Sequence, residues 1–331
     1  MKVFSIMEEY MSSRLPELKF FSGRSNLQLA NNITNADGFK ISETTFTDFA
    51  NGELKIKLNE SVRGDDVYIL QTAAPPLPDK WMMELLIMAH TAYRASARRI
   101  TAVIPYIYGS RQDRKTEPRT PLTIQLMGDL LSAAGVKRII TVSLHNNASE
   151  AAFGKILVDN LSSTSIFYPY VKKYVESEET IIMSPDAGGV QRAKIYADHF
   201  SSDLGFCYKT RPKANVAATL AFVGDVKDKQ VLIVDDIIDT AGTLCNIARE
   251  AKERGAKKIA VVATHAILSG NAVEKIASAP IDNIYISDSI YHENLPNTFN
   301  VLSLGKLLCN TILAVNGDKS VGDLFERENI K

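Results

Sequence analysis

Short runs of β-branched and other apolar residues recur along the chain, separated by longer stretches with helical spacing. The runs at Val67 to Gln71, Ile100 to Ile104, Ile139 to Val142, Ile181 to Ser184, Val231 to Val234 and Ile259 to Ala263 predict strands buried on both faces. After Val234, the residues Leu244, Ile247, Ala248 and Ala251 share one helical face and Gly255 supplies a stop, which makes a βαβ unit. Repetition of this alternation predicts an α/β fold with mostly parallel sheets flanked by helices. An internal echo predicts two halves of similar build. Gly135-Val-Lys-Arg-Ile-Ile-Thr-Val-Ser-Leu-His145 has the layout of Gly255-Ala-Lys-Lys-Ile-Ala-Val-Val-Ala-Thr-His265: helix stop, basic pair, strand, histidine. The boundary is placed near residue 163, around Ser162-Ser-Thr-Ser165. The units are then 17–163 and 164–317, with a tail, 318–331, returning to the first. Residues 1–16 precede the first convincing strand, Leu18 to Phe21, as an N-terminal extension.

Composition narrows the class. A chain of 331 residues with 45% hydrophobic content can bury a large core. Its 38 basic and 38 acidic residues cancel, so no global field draws it to nucleic acid or to an anionic membrane. Cys207, Cys245 and Cys309 lack any C-x-x-C spacing, which argues against a disulfide framework or zinc site and suits a reducing, cytoplasmic location. Glu8 and Glu9 make the N-terminus a poor signal peptide, and no uncharged apolar run approaches membrane-spanning length.

The segment with the most chemistry is Val231-Leu-Ile-Val-Asp-Asp-Ile-Ile-Asp-Thr-Ala-Gly-Thr243. Four apolar residues read as a central strand, and Asp235 and Asp236 then fall where it leaves the sheet, the edge at which open α/β folds bind ligands. Asp239, Thr240, Ala241, Gly242 and Thr243 can form a turn whose N–H groups and hydroxyls surround a phosphate at a helix start. The plainer alternative is a helix capped by Asp239 or Thr240. Tyr106-Ile-Tyr-Gly-Ser-Arg-Gln-Asp-Arg114 follows another strand, so Arg111 and Arg114 can clamp phosphate oxygens and Gln112 can read a base or ribose, unless the loop is only a surface charge cluster. His145 ends a strand at the same edge, where a lone histidine is otherwise solvated or packed, and Asp186-Ala-Gly-Gly189 follows another, which without a ligand is only a glycine turn. Imidazole, carboxylate and phosphate oxygens together suit Mg²⁺. Lys209-Thr-Arg-Pro-Lys-Ala-Asn215 reads as an exposed flap able to close over transferring phosphates, or, as a free-standing charge run, as a solvated loop. Phe49-Ala-Asn-Gly-Glu53, taken alone, is a hairpin turn.

In this order the segments resemble the ribose-phosphate pyrophosphokinase (phosphoribosyl pyrophosphate synthetase) family from about Lys19 to Phe325. Ser61-Val-Arg-Gly64, Thr101-Ala-Val-Ile-Pro-Tyr106, Ser184-Pro-Asp-Ala-Gly-Gly189 and Ser269-Gly-Asn271 extend the match. The resemblance implies two similar domains of the type I phosphoribosyltransferase-like fold, an N-terminal one for ATP and a C-terminal one for ribose 5-phosphate. It implies transfer of the β,γ-diphosphoryl group of ATP to the sugar's C1 hydroxyl. Asp239 to Thr243 would hold the 5-phosphate, and Asp235 and Asp236 the ribose hydroxyls. Arg111, Gln112 and His145 would hold ATP, with adenine against Phe49, Asn51 and Glu53 of a neighbouring subunit. Asp186 and His145 would bind Mg²⁺, and Lys209 and Arg211 would stabilise the transferring group. A shared site implies a homo-oligomer, a hexamer or its dimer unit.

The chain also departs from the family pattern. Ser143-Leu-His145 stands for Asp-Leu-His, Asn147-Ala-Ser-Glu-Ala-Ala-Phe153 for a Gln-x-Gln-Gly-Phe-Phe type of sequence, and Pro118 for a frequent Ser. These regions border the family's phosphate and ADP regulatory site, where Ser61, Arg63, Arg119, Ser320 and Phe325 still match. Altered regulation is therefore expected; a phosphate and ADP titration with ordinary activation and inhibition would sink that expectation. Two other readings are a non-catalytic paralogue that regulates an active synthetase and a phosphoribosyltransferase. The first tends to lose loop residues that are retained here, and the second needs an acceptor-base pocket that the sequence does not reveal.

Overall fold

The structure, a computed structural model, describes residues 15–210 and 219–322. The predicted strands form within a residue or two of their expected starts, because each carries buried side chains to both faces. In chain order the first sheet takes β1 (Leu18–Ser22), β4 (Asp66–Leu70), β5 (Arg99–Val103), β6 (Arg138–Val142) and β7 (Leu157–Leu161), side by side in that order and all parallel. Between β1 and β4 the chain forms a separate two-stranded antiparallel hairpin, β2 (Thr44–Asp48) and β3 (Leu54–Leu58).

The second sheet has seven strands in the order β10-β9-β8-β11-β12-β13-β14. They are β8 (Thr180–Ser184), β9 (Asp203–Thr210), β10 (Thr219–Val223), β11 (Gln230–Ile238), β12 (Lys258–Ala266), β13 (Asn283–Ser287) and β14 (Phe299–Leu302). Only the β9–β10 pair is antiparallel. The chain steps outward from β8 to β10, then returns to lay β11 on the other side of β8. That reversal opens a crevice at the carboxyl ends of β8 and β11, where doubly wound sheets bind ligands.

Each sheet is the middle of three layers. One face of the first is packed by α2 (Pro78–Arg94) and α3 (Thr123–Ala133), through Leu85, Met88 and Leu131 against Val67, Ile69 and Ala102. Its other face holds α1 (Leu27–Asp37) and also α8 (Gly305–Asn316), whose Leu308 and Ile312 lie with Phe20, Leu29 and Tyr68 in one core. The second sheet is covered by α4 (Thr164–Val175) and α5 (Val190–Phe200) on one face, and by α6 (Gly242–Glu253) and α7 (Ala272–Ala277) on the other. Alternation along β11 shows why both faces must be covered: Val231 and Ile233 join the α6 core, Leu232 and Val234 the α4 core.

A buried polar seam joins the two sheets. His265 Nε2 donates to the Val142 carbonyl at 2.9 Å, and the Ser163 hydroxyl lies 2.7 Å from Thr264 Oγ1 and 3.0 Å from Ser143 Oγ. Asn26 caps α1 with its side-chain oxygen and donates its amide to the Asp288 carbonyl at 2.8 Å.

Candidate active site

β11 carries the centre of the site. Its pairing with β8 stops at Ile233 with Met183, whereas its pairing with β12 continues to Ile238 with Ala266. Asp235 and Asp236 therefore do not mark the end of the strand, as the apolar run suggests, but lie within it, where the ladder is one-sided. The absent neighbour leaves room for side chains from elsewhere. Asp235 keeps 28% of its side-chain surface, while Asp236 keeps 3%.

Two side chains cover Asp236. His145, just beyond β6, places Nδ1 2.7 Å from Asp236 Oδ2, and Arg192, in the first turn of α5, places a guanidinium nitrogen 3.2 Å from Oδ1. The same nitrogen of Arg192 is 3.5 Å from Asp235, and its other terminal nitrogen donates to the His145 carbonyl at 3.5 Å. Burial pushes the Asp236 carboxyl up, but His145 and Arg192 outweigh it and leave its pKa depressed. Asp235 moves the other way, raised by burial first and then by the charge of Asp236. The hydrogen bond from His145 to Asp236 raises the imidazole pKa, against a smaller opposing effect of burial.

The turn Asp239 to Thr243 runs into the first residues of α6. The residue at the cap position is Ala241, in the left-handed region with φ 58°, and it offers no side-chain hydrogen bond to the helix. Neither Asp239 nor Thr240 is the cap, so the plainer reading of this turn fails. An α-helix start without a capping side chain presents first-turn N–H groups and the positive end of the helix dipole. In front of it lies a cavity of about 170 Å³ lined by residues 235–244 together with Arg111, His145, Pro185 and Asp186. Arg111 reaches it from the loop after β5 and pairs with Asp239 at 2.7 Å, so both sheets contribute to one pocket.

A second cavity, of about 390 Å³, adjoins it and is lined by Arg111, Asp113, Arg114, His145, Asp186 and Arg192, with both β11 carboxylates. Asp186 is exposed in the β8–α5 loop, where its Oδ1 accepts the Gly189 N–H at 2.8 Å. Gln112 lies in the Arg111 loop, its side-chain oxygen accepting from the Thr123 hydroxyl. Among the described residues, no three His, Cys, Asp or Glu side chains converge as a ready-made metal cage. Asp186 and His145 line the same cavity, a donor set that suits a hard cation completed by water and phosphate oxygens.

The remaining sequence-selected residues lie elsewhere. Phe49, Asn51 and Glu53 form the turn of the β2–β3 hairpin, where Phe49 N–H donates to the Glu53 carbonyl at 2.8 Å. The cavity beside them, about 610 Å³, shares no lining residue with the two cleft cavities. Lys209 lies on β9, opposite Leu220 of β10, so the predicted flap begins as a strand; Arg211 and Phe325 lie outside the described residues. Ser61 and Arg63 precede β4, and Ser320 follows Asp318, which pairs with Arg99 at the start of β5 at 2.6 Å. These three approach the amino end of the first sheet, whereas Arg119 lies in the loop after the carboxyl end of β5. Within one chain that loop is at the opposite end of the strand. Sequence reasoning missed Arg192. Its signal was position: it falls three residues after the Gly188-Gly189 pair that follows a buried strand.

Comparisons with known proteins bear on the whole chain. A family model described as the N-terminal domain of ribose phosphate pyrophosphokinase matches residues 18–135, and one described as the phosphoribosyl synthetase-associated domain matches residues 188–326. A ribose-phosphate pyrophosphokinase of Thermosipho africanus is 43% identical over 312 residues, covering 94% of this chain and 98% of that protein. One of Thermotoga maritima is 41% identical over 311 residues, covering 93% and 98%. The crystal structure of phosphoribosylpyrophosphate synthetase from Mycobacterium smegmatis superposes with a TM-score of 0.86 at 35% identity, covering 91% of this chain and 99% of that one.

Proposed function

The chain belongs to the ribose-phosphate pyrophosphokinase family, and we propose that its two-sheet cleft transfers the β,γ-diphosphoryl group of ATP to the C1 hydroxyl of ribose 5-phosphate. The products are 5-phosphoribosyl 1-pyrophosphate and AMP, for nucleotide biosynthesis. The observation that carries this reading is the turn Asp239 to Thr243, whose cap residue Ala241 offers the helix no side-chain bond and which lines one cavity with two carboxylates of its own sheet and with Arg111 and His145 of the other.

In this reading the 5-phosphate sits at the start of α6, held by N–H groups and by the hydroxyls of Thr240 and Thr243. Asp235 and Asp236 orient the ribose hydroxyls. Arg111, Gln112 and His145 hold ATP, with Arg111 and His145 lining the adjoining cavity. Lys209 and Arg211 would stabilise the diphosphoryl group as it leaves AMP, where spread negative charge is the main thing to be offset. No side chain forms a covalent bond to the transferred group; rate comes from holding the C1 oxygen in line with it. Asp186 and His145, which line the same cavity, would hold Mg²⁺, which would supply charge screening to the phosphate oxygens. His145 would hold it as a neutral imidazole, with Nε2 the nitrogen left free by the Nδ1 contact to Asp236.

Separation of the Phe49 turn from the cleft supports adenine binding by a second subunit, and hence a homo-oligomer such as a hexamer or its dimer unit. Half-exposed Phe49 and Met83 beside that cavity suit the same role. We take the ATP unit as 17–163 with α8 and the residues after it, and the ribose unit as 164 to about 303. The return then begins at Leu304, which is fully buried, ahead of residue 318. Arg119, in the loop beyond the carboxyl end of β5 and away from Ser61, Arg63 and Ser320, supports a regulatory site that draws residues from more than one subunit. Three buried free cysteines suit a reducing cytoplasm, and no described helix is long and apolar enough to cross a membrane.

Purified protein incubated with ATP, Mg²⁺ and ribose 5-phosphate should give AMP and phosphoribosyl pyrophosphate in equal amounts, and Lys209→Ala should abolish both. Folded protein that makes neither, with or without added inorganic phosphate, would favour a non-catalytic paralogue and overturn this reading.

A further inference from the structure

Two-stranded hairpins are marginal by themselves, and what fixes this one to the body decides where its turn points. Phe46, Leu54, Ile56 and Leu58 pack it onto the α2 side of the first sheet. At the turn end a single guanidinium joins hairpin to body. Arg24, just after β1, donates Nε to Glu84 Oε2 at 2.7 Å and its two terminal nitrogens to Asp48 at 2.6 and 3.2 Å, with Phe46 lying under the guanidinium at 4.8 Å. Asp48 is the last residue of β2, next to Phe49.

The body side of this clamp is rigid. Glu84 on α2 is fully buried, and its other oxygen accepts from the Arg24 N–H at 2.8 Å and from Gln71 Nε2 at 2.9 Å. Gln71 occupies the space where a Cβ on Gly23 would sit, so the glycine admits the network. A buried carboxylate without its cation is strongly disfavoured, which pins the guanidinium and leaves its outer edge at a set place and angle. Asp48 docks on that edge. Lys80 is a weaker neighbour, 3.7 Å from Asp48.

We propose that Arg24 is a positioning residue for the nucleotide base: through Asp48 it sets the attitude of the Phe49, Asn51 and Glu53 turn that receives adenine for a second copy of the chain. This rests on the diphosphoryl-transfer reading above. Nothing in the composition or motifs of the sequence singles out Arg24.

The test uses Asp48→Asn, which leaves the buried Arg24–Glu84 pair intact, together with Arg24→Met, Arg24→Lys and the double variant. KM for ATP should rise roughly tenfold in Arg24→Met and about fivefold in Asp48→Asn, since a misplaced recognition group weakens binding without touching the reacting atoms. KM for ribose 5-phosphate and kcat at saturation should stay within about twofold of the unsubstituted protein. Arg24→Lys should recover part of the loss, and the double variant should be no worse than Arg24→Met, because both arms act as one unit. An unchanged KM for ATP in folded Asp48→Asn and Arg24→Met would overturn the proposal. So would parallel losses in both substrates, or dissociation of the oligomer at assay concentration, either of which marks a merely structural brace. Inactive unsubstituted protein would instead sink the transfer reading, and this proposal with it.

Discussion

His145 and His265 occupy corresponding places in the two repeats, each after a glycine, a basic pair and an apolar run, His145 just beyond β6 and His265 one residue before the end of β12, yet they face opposite conditions. His145 keeps 39% of its side-chain surface, looks into the cleft and pairs with a carboxylate of the other unit. His265 keeps 2%, donates Nε2 to the Val142 carbonyl, has Ser289 Oγ 3.0 Å from Nδ1 and lies beside Tyr106. Each reaches across to the partner sheet, but one meets a charge and the other meets neutral dipoles. Their titrations separate accordingly: the carboxylate raises His145, and burial lowers His265 to about 4. Repeated sequence thus supplies two contacts between the units, of which one is open to the cleft and the other is dry.

The largest effect should come from taking away the charge that distinguishes them. Asp236→Asn keeps the shape of the side chain but removes the anion shared by His145 and Arg192. kcat/KM should fall about a hundredfold or more, the scale on which removal of an oriented electrostatic partner is felt. The imidazole pKa of His145, followed by NMR, should drop, because the hydrogen bond to Asp236 is the leading cause of its elevation. Full activity in this variant would mean that the cleft histidine is no more functional than the buried one.

The dry histidine should register in stability instead. In the unfolded chain His265 takes up a proton near 6.5, but in the fold only near 4, so between these values the unfolded state binds more protons. Its contribution is present in full above about pH 6.5 and is lost as pH falls toward 4, amounting to about 3 kcal/mol over that window. His265→Gln, which can donate to Val142 without titrating, should flatten this part of the profile. Since other carboxylates also weaken the fold in acid, the quantity to measure is the difference between the two proteins in urea unfolding at pH 7 and at pH 4.5. Equal acid losses would show that His265 is not held neutral. His145 carries the opposite sign, its elevated pKa adding stability at low pH that fades as pH rises through it.

Much of this arrangement was legible in the sequence, for a physical reason. Strands buried on both faces need unbroken apolar runs, so Ile139 to Val142 or Ile181 to Ser184 announce themselves, and ligands gather at their carboxyl ends. What was not legible depends on contacts distant in sequence. Nothing local says that β8 stops short while β12 continues, which is why Asp235 and Asp236 lie within β11. The apolar face of α8 has the same spacing whichever sheet it covers, and its packing on Phe20 and Leu29 is decided only by the chain's path. The His145 and His265 segments look alike because the strand pattern records burial of the strand and not of the residue that ends it. Arg192 was hidden by its company, since an arginine beside Gln191 and Lys194 on a helix reads as a solvated face.

Arg192 offers the smallest and most local test of the contrast. Its planar fork touches Asp235, Asp236 and the His145 carbonyl at once, joining α5 of one unit to the loop after β6 of the other. Arg192→Lys retains the positive charge but replaces the fork with a single ammonium, which can serve one or two of these acceptors and not all three. Because charge is preserved and the site is partly exposed, kcat/KM should fall only about five- to tenfold, a loss small beside that of Asp236→Asn. Thermal stability should hardly change, since the seam through His265 and Val142 is untouched. A large drop in melting temperature with normal activity would reverse the assignment: Arg192 would then belong with the dry attachment, and the cleft would be organised by His145 and Arg111 alone.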